Sequence, residues 1–571
     1  MSKKICVAQS VDELKFILSK VNEPVICVPL NLQTQLYCIK EKLEFYNPLN
    51  FIDNNFHKNA LVESENLINK LNFGDLTYES HIKVYTAIIR FRFNSAVFLI
   101  ELIEKINLHK KINKIFVSGW SSYLATYSSK NYFVSHLILN LITDIDVVKL
   151  SENNEQQIAS REEHKYKIQN TNLSTKKSYI LVNTFGYNFK RIIFWLSKKN
   201  FYILVPRFEE HLLQNDLNLV NDKIGFLKKK IFQLFKIIIV ECNSLPSKER
   251  GKFLIPDVHF FYKTKDLSKI LSFRKEQELG SLIRLRNLCE GIDDLFDKTN
   301  IKLVLTNLVR GIGGYYIDKS EKEKIPSVCI PHSTVSEYFD KFDRIFKKII
   351  AEVQYGKKSK FFAVQSKIAK DFVRSYKINN NQCIETGNLI FGDCKKNTDK
   401  KKILFAVTLK DFSNIQYLGY EMYYEFLDNL KFLNSFAVKK NLKILVKPHP
   451  VAYPCFDELK NTFKNLEFTK KKIDNALKYA FVTISFSSSV IEDSLYSKVP
   501  VILLDRWKRY KHCSAEENVK KKNSAVYYVN NENDLIECVN TIRNSENISF
   551  EDYIIPGDVK TNIKNLAGRI L

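Results

Sequence analysis

Short apolar runs rich in Ile, Val, Leu and Phe alternate with longer amphipathic stretches along most of this chain, and no other feature narrows its fold as much. Runs at 25–29, 114–118, 178–182, 201–205, 237–241, 301–306, 327–330, 361–365 and 383–387 read as buried strands. The rhythm starts afresh at 403–407, 443–446, 481–485 and 501–505, with helices expected at 314–322, 420–439 and 490–496 among others. Strand alternating with helix predicts parallel sheets covered by helices on both faces. At 571 residues the chain exceeds what one hydrophobic core serves. The expected fold class is therefore α/β, with two doubly wound, Rossmann-like domains facing a central cleft. A lysine-rich polar stretch at 395–402 marks the boundary, giving domains 1–394 and 395–550 and a terminal segment, 551–571, that packs back on the first. The polar stretch 151–177 reads as an insertion.

Composition excludes several classes. With 45% apolar and 26% charged residues the chain is globular, not disordered. Its 11 cysteines include no C-x-x-C pair and no zinc-ligand spacing, so they read as reduced thiols of a reducing compartment. The opening Met-Ser-Lys-Lys-Ile-Cys-Val-Ala runs into a strand-like segment without the apolar stretch of a secretion signal. The longest apolar stretches, near 95–103 and 231–240, fall short of the roughly 18–20 residues that span a membrane. The expected location is the cytoplasm. The 88 Lys and Arg against 63 Asp and Glu leave +25, which favours polyanionic partners. Because runs such as Lys228-Lys229-Lys230 are scattered and no nucleic-acid-binding signature accompanies them, an anionic surface on the inner face of the membrane suits the charge better than nucleic acid.

Residues just beyond the carboxyl ends of parallel strands are where such folds place their chemistry. Lys447-Pro448-His449-Pro450 follows one strand directly. Pro448 biases Lys447 to extended backbone, and Pro450 does the same for His449, so the imidazole is aimed. It suits a hydrogen bond to a phosphate oxygen or protonation of a leaving phosphate, with Lys447 adding positive charge. The alternative is a loop histidine beside turn prolines. Ser487-Ser488-Ser489 ends the next strand and opens a helix, where hydroxyls and backbone N–H groups form an anion site. Glu492 shortly after is equally the grammar of a capping box.

These positions resemble the bacterial GT-B glycosyltransferases that use nucleotide-activated acidic sugars or polyol phosphates, in which an HP motif and a serine motif hold the donor phosphate. His449-Pro450 and Ser487-Ser488-Ser489 match the motifs, and Glu492 followed by Val499-Pro500-Val501-Ile502 matches the helix-to-strand continuation. The resemblance is clearest over residues 300–510, and it is to sialyltransferases, capsule Kdo transferases and CDP-glycerol glycerophosphotransferases. It implies an acceptor side on 1–394 and a nucleotide-sugar side on 395–550, with His449 catalytic and Lys447, Ser487, Ser488, Ser489, Glu492, Thr408 and Lys410 at the donor. The implied reaction moves a sugar, acidic and CMP-activated, onto a surface glycan, a lipid-linked or a protein acceptor, with no further cofactor. No tightly bound metal is expected, because neither thiol spacing nor a well-placed DxD provides one. The first half lacks the D/E-D/E-G tripeptide of sialyltransferases, and His332 precedes Ser333 where glycerophosphotransferases carry Gly.

His332, fixed by Pro331 at a strand end, is the candidate for catalytic base or acceptor contact, or else a histidine satisfying loop carbonyls. Arg310-Gly311-Ile312-Gly313-Gly314 offers close backbone approach to a ligand, and Arg207, Glu209 and Glu210 follow another strand. Asp144-Ile145-Asp146 has the form of a cation-binding DxD but precedes a strand, so it reads as a loop. The competing readings are a CDP-glycerol-type polyol phosphate transferase, a UDP-sugar 2-epimerase of the same doubled fold and, outside enzymes, an anionic-glycan-binding protein, which gives His449 and the serines no task.

Overall fold

The computed structural model describes residues 3–120, 122–126, 129–133, 135–151, 164–168, 173–183, 189–196, 201–208, 236–246, 254–273, 275–309, 311–331, 334–335, 338–355, 358–376, 379, 382–392, 401–410, 419 and 421–571. They build three principal parallel sheets. The first contains β1 (Lys3–Ala8), β2 (Ile26–Pro29), β3 (Ile112–Val117) and β4 (Asp146–Lys149) in the order β2-β1-β3-β4. It carries α1 (Val11–Lys20), α2 (Leu32–Lys40), α3 (Asn54–Asn69) and the long α4 (Glu79–Lys110).

The second sheet has β5 (His164–Ile168), β6 (Ser178–Val182), β7 (Tyr202–Phe208), β8 (Ile237–Pro246), β9 (Asn300–Thr306), β10 (Ser327–Cys329), β11 (Phe361–Val364) and β12 (Cys383–Glu385). Their order is β12-β11-β10-β9-β6-β7-β8-β5, parallel except for β5, which runs antiparallel to β8. Its helices include α5 (Phe189–Leu196), α6 (Gly311–Lys322), α7 (Lys341–Gln354) and α8 (Lys367–Ser375).

In the third unit β13 (Lys402–Ala406) leads into a short parallel pair, β14 (Leu409–Lys410) and β15 (Glu421–Met422). After α9 (Tyr423–Lys440) come β16 (Ile444–Lys447), β17 (Glu467–Phe468), β18 (Ala480–Ser485), β19 (Val501–Leu504) and β20 (Val526–Val529). The sheet order is β17-β16-β13-β18-β19-β20. Helix α10 (Val490–Tyr496) follows β18, and α11 (Val559–Ile570) ends the chain.

Local chemistry explains these elements. β19 is Val-Ile-Leu-Leu, buried throughout, as a strand covered on both faces must be. Ser10, Asn31, Asp53, Asp340, Ser366 and Asp558 each start a helix by accepting a bond from a backbone N–H that has no partner within the helix.

The sequence led us to expect one Rossmann-like unit over 1–394; two separate sheets occupy it. Among the described residues, strands β1 to β4 pair with one another and with no strand of the other two sheets, β2 adding a single bridge from Cys27 to Phe45, and α4 lies between that sheet and the rest, with Phe93, Val97, Phe98, Ile100 and Ile103 all fully buried. The stretch 151–177, expected to be an insertion, holds β5 at 164–168; much of the remainder lies outside the described residues. In α11, Ile563 and Leu566 join the core of the second unit, and Asn562 donates to the Asn388 carbonyl at 3.0 Å. Among the described residues no helix is long and apolar enough to cross a membrane.

The first unit touches both others. In α3, Lys58 pairs with Asp340 at 2.9 Å, while Asn54 donates to the Trp507 carbonyl. Leu61 of α3, Phe346 and Ile349 of α7, and Phe486 and Tyr510 of the third unit form one apolar cluster. Tyr423 donates to the Pro29 carbonyl at 2.6 Å, and the rings of Phe98 and Tyr424 stack at 6.3 Å. Behind this contact Arg509, fully buried, is held in a bidentate pair by Glu425. Glu425→Leu strands that guanidinium, so it is expected to cost about 3–5 kcal/mol, and adding Arg509→Met should restore most of the loss. Thermal melts of the single and double variants check this, and a double variant as weak as the single one contradicts it.

Candidate functional site

The third sheet reverses its strand order at β13, which lies between β16 and β18. Ala406 pairs with Lys447, and Phe405 pairs with Ile484, so the strands end level. With neighbours about 4.8 Å apart, the loops after β16 and β18 leave the same edge about 10 Å from each other. Thr408, half-buried, follows the strand between them. The serine and HP motifs therefore flank a topological switch point, the place where open α/β sheets bind ligands.

His449 caps the 3-10 turn Pro450–Cys455, and its Nδ1 accepts from the Val451 N–H at 3.3 Å. With Nδ1 an acceptor, the proton of the neutral ring is on Nε2. The imidazole is thus oriented as a donor. Lys447 donates to the Tyr453 hydroxyl at 3.1 Å and lies 5.7 Å from the centre of its ring. Tyr453 was invisible to motif reasoning because only the 3-10 turn brings it back over the strand end.

The serines divide their labour differently from the sequence expectation. Ser489 is the N-cap of α10, yet its backbone is helical and its hydroxyl caps nothing. Ser488 Oγ instead accepts from the Val490 N–H at 3.3 Å. The Ser487 and Ser489 hydroxyls have no hydrogen-bond partner among the described residues.

Glu492 makes no capping box with these serines. It is 1% exposed and accepts on Oε1 from Thr334 Oγ1 at 2.9 Å and from Ser366 Oγ at 2.6 Å. Those partners follow β10 and β11, so the carboxylate joins the edge of the second sheet to the serine-motif helix. The next residue, Asp493, accepts from the Gly392 N–H at 2.7 Å, and burial pushes its carboxyl up to about 7. Glu421, alongside Leu409 in the β14–β15 pair, is pushed up to about 8 by burial and accepts a bond from Asn429.

His332 lies outside the described residues, as do Arg310, Glu209 and Glu210; so do the side chains of Lys410 and Arg207. Pro331 is held through its carbonyl by Gln365 Nε2 at 2.7 Å. Gly313 and Gly314 serve packing. A Cβ on Gly313 would sit 2.7 Å from the Leu308 carbonyl oxygen and 2.8 Å from Asn183 Nδ2, and one on Gly314 would sit 2.7 Å from the Val309 oxygen. Asn183 and Asn307, which no motif singled out, bond to each other at 2.9 Å beyond β6 and β9, where the second sheet reverses its order. Asp146 opens β4, 3.8 Å from Lys114.

Neither a family model nor a curated protein matches the sequence. Solved structures that resemble the chain include UDP-GlcNAc 2-epimerase from Methanocaldococcus jannaschii, at 14% identity over 69% of this chain and 99% of that one, TM-score 0.38. UDP-GlcNAc 2-epimerase from Neisseria meningitidis, bound to UDP-GlcNAc, has 11% identity over the same shares, TM-score 0.40. The wall teichoic acid polymerase TagF has 11% identity over 70% of this chain and 88% of that one, TM-score 0.36. The doubly wound architecture itself, two parallel units meeting at their carboxyl edges, is read from the sheets and from Glu492.

Burial raises the Glu492 carboxyl from its ordinary 4.5 to about 7 against the opposing bonds from Ser366 and Thr334. A carboxyl shifted upward favours the fold fully below about 4.5, and the advantage is lost as pH rises through about 7. Glu492→Gln removes that titration. The stability of the variant relative to wild type is expected to rise between pH 4.5 and 7, by at most about 3 kcal/mol, and to level off above. Denaturant unfolding of both proteins across this range checks it, and a pH-independent difference contradicts it.

Proposed function

We propose that this chain is a GT-B glycosyltransferase that holds a nucleotide-activated sugar at the edge of its third sheet and transfers the sugar to a glycan, glycolipid or protein acceptor. The observation that carries the reading is the place of His449, whose Nδ1 accepts from Val451 and leaves the proton of the neutral ring on Nε2, in the loop after β16 that lies across Thr408 from the serine motif. In the proposed step the bond from the anomeric carbon to the donor phosphate breaks as an acceptor hydroxyl attacks. His449 donates to the leaving phosphate, and Lys447 adds positive charge. Ser487 and Ser489 supply hydroxyl donors to the same phosphate. His332 is the proposed base or acceptor contact, with Thr408 and Lys410 on the donor side. Glu492 acts from behind, by tying the serine-motif helix to the second sheet.

The acidic sugar and the CMP carrier rest on the motif resemblance alone. A polyol phosphate transferase would use the same two motifs, and association with an anionic membrane surface rests on the net charge of +25. Thermal shift with CMP-, CDP-, UDP-, GDP- and dTDP-linked donors separates these, since a ligand bound only by the folded state raises its melting temperature. No metal has a role in the proposed step, so turnover is expected to persist in chelator; strict dependence on manganese would contradict it.

His449→Ala is expected to lower turnover by roughly a hundredfold or more with donor affinity and folding little changed, as loss of one preorganised transition-state donor requires. Ser489→Ala, which removes a hydroxyl that caps nothing, should raise the Michaelis constant for donor more than it lowers turnover. Steady-state kinetics with the identified donor and acceptor decide. Wild-type turnover in His449→Ala would reduce the histidine to a loop residue.

A further inference from the structure

We infer that the first sheet carries a crevice of its own, between the ends of β1 and β3, that binds a neutral saccharide unit of the acceptor; the identity of that ligand rests on the glycosyltransferase reading. The first sheet reverses its strand order at β1, with β2 on one side and β3 on the other. A crevice at such a point is the general ligand position of open α/β sheets. Cys6 pairs with Phe116, and continuing that register sets Gln9 level with Gly119.

Gln9 is 4% exposed, and its side-chain oxygen has no hydrogen-bond partner among the described residues. The buried indole Nε1 of Trp120 is in the same condition. Buried polar atoms are normally paired, so an acceptor and a donor left unmade at one switch point indicate a partner that arrives from outside. The surroundings are already built. Ser118 Oγ donates to Glu13 at 2.6 Å and accepts from the Trp120 N–H at 2.9 Å, while Ser151 Oγ donates to the Ser118 carbonyl at 2.5 Å. Gly119 has φ +80°, and a Cβ there would meet the Lys149 side chain and, at 2.9 Å, the Ser151 carbonyl oxygen. The Trp120 ring packs 5.1 Å from Phe16. Trp120 is therefore held in place before any ligand binds.

The chemistry narrows the ligand. The N-terminus of α1 would be the place for an anion, but Glu13 already fills it, accepting from the Gln9 N–H at 2.7 Å on one oxygen and from Ser118 on the other. What remains is an amide oxygen, an indole N–H and an aromatic face, a set suited to a neutral polyhydroxy ligand. The first unit also reaches the proposed chemistry, because α2 packs against the 3-10 turn that His449 caps.

The chain has 3 tryptophans, so Trp195→Phe with Trp507→Phe leaves Trp120 as the sole indole reporter. This variant is titrated with glucose, galactose and N-acetylglucosamine, and separately with phosphate, sulfate and uridine. A saturable emission change with at least one sugar, at least tenfold tighter than with any of the contrasts and abolished by Gln9→Ala at unchanged melting temperature, is expected. No saturable change with any of these sugars, saturation by an anion or uridine instead, or a sugar response that survives Gln9→Ala overturns the inference. If the reporter variant does not fold, isothermal titration of the wild type and Gln9→Ala with the same ligands decides by the same criteria. Thermal shift with nucleotide-linked donors runs alongside. A donor shift without a sugar response removes the crevice alone, and a sugar response without any donor shift removes the transferase reading.

Discussion

The arrangement depends most on the buried guanidinium of Arg509. It makes its bidentate pair with Glu425 and sits over the rings of Trp507 and Phe486, at 5.0 and 5.2 Å. Glu425 also accepts from the Met422 N–H at 2.9 Å, which starts α9, and His57 of α3 lies 3.9 Å away. Asp505 completes the site by accepting from the backbone N–H groups of Arg509 and Tyr510 and from the Tyr528 hydroxyl. A charge taken from water is tolerated only with all its partners in place. One interaction thereby fixes the loop after β19, the start of α9, the approach of the first unit and Phe486, the residue just before the serine motif.

From that anchor the edge of the third sheet is built outward. Trp507 and Tyr510 pack on Phe486, which holds the chain leaving β18 as it turns into α10. On the opposite side of α10, Glu492 and Asp493 fasten it to Thr334, Ser366 and Gly392 of the second unit. The serine motif is thus clamped from two directions, whereas His449 is aimed by its own turn. Lys347, fully buried, adds a further tie, pairing with Asp343 at 2.9 Å and donating to the Lys511 carbonyl at 2.8 Å.

Much of this edge was legible in the sequence. β16, β18 and β19 are apolar runs bounded by Pro, Ser and Asp, so their ends, and hence the positions of His449 and Ser487, could be placed closely. The prolines around His449 announced an oriented ring for a local reason that survives in the fold. What could not be read depends on tertiary contact. Helix α4 is buried on nearly every face, so its sequence has no polar stripe to betray its period. The split of the first 394 residues into two sheets depends on which strands pair, and periodicity says nothing about pairing. Glu492 had the spacing of a capping residue; its carboxylate reaches instead across to partners 158 and 126 residues earlier in the chain. The glycines at 313 and 314 looked like a ligand cradle because the carbonyls they accommodate belong to the turn just before them.

The seat that the first unit offers to α9 also sets an order of events during synthesis. Tyr423, whose hydroxyl bonds to the Pro29 carbonyl, lies 394 residues later in the chain. At about 5–20 residues per second a ribosome takes roughly 20–80 s to cover that distance. Through that interval the nascent first unit holds Phe98 without the Tyr424 ring that stacks on it, an apolar face available to chaperones and to misassembly alike. Maturation of this protein is therefore governed by how long its earliest-made surface can wait.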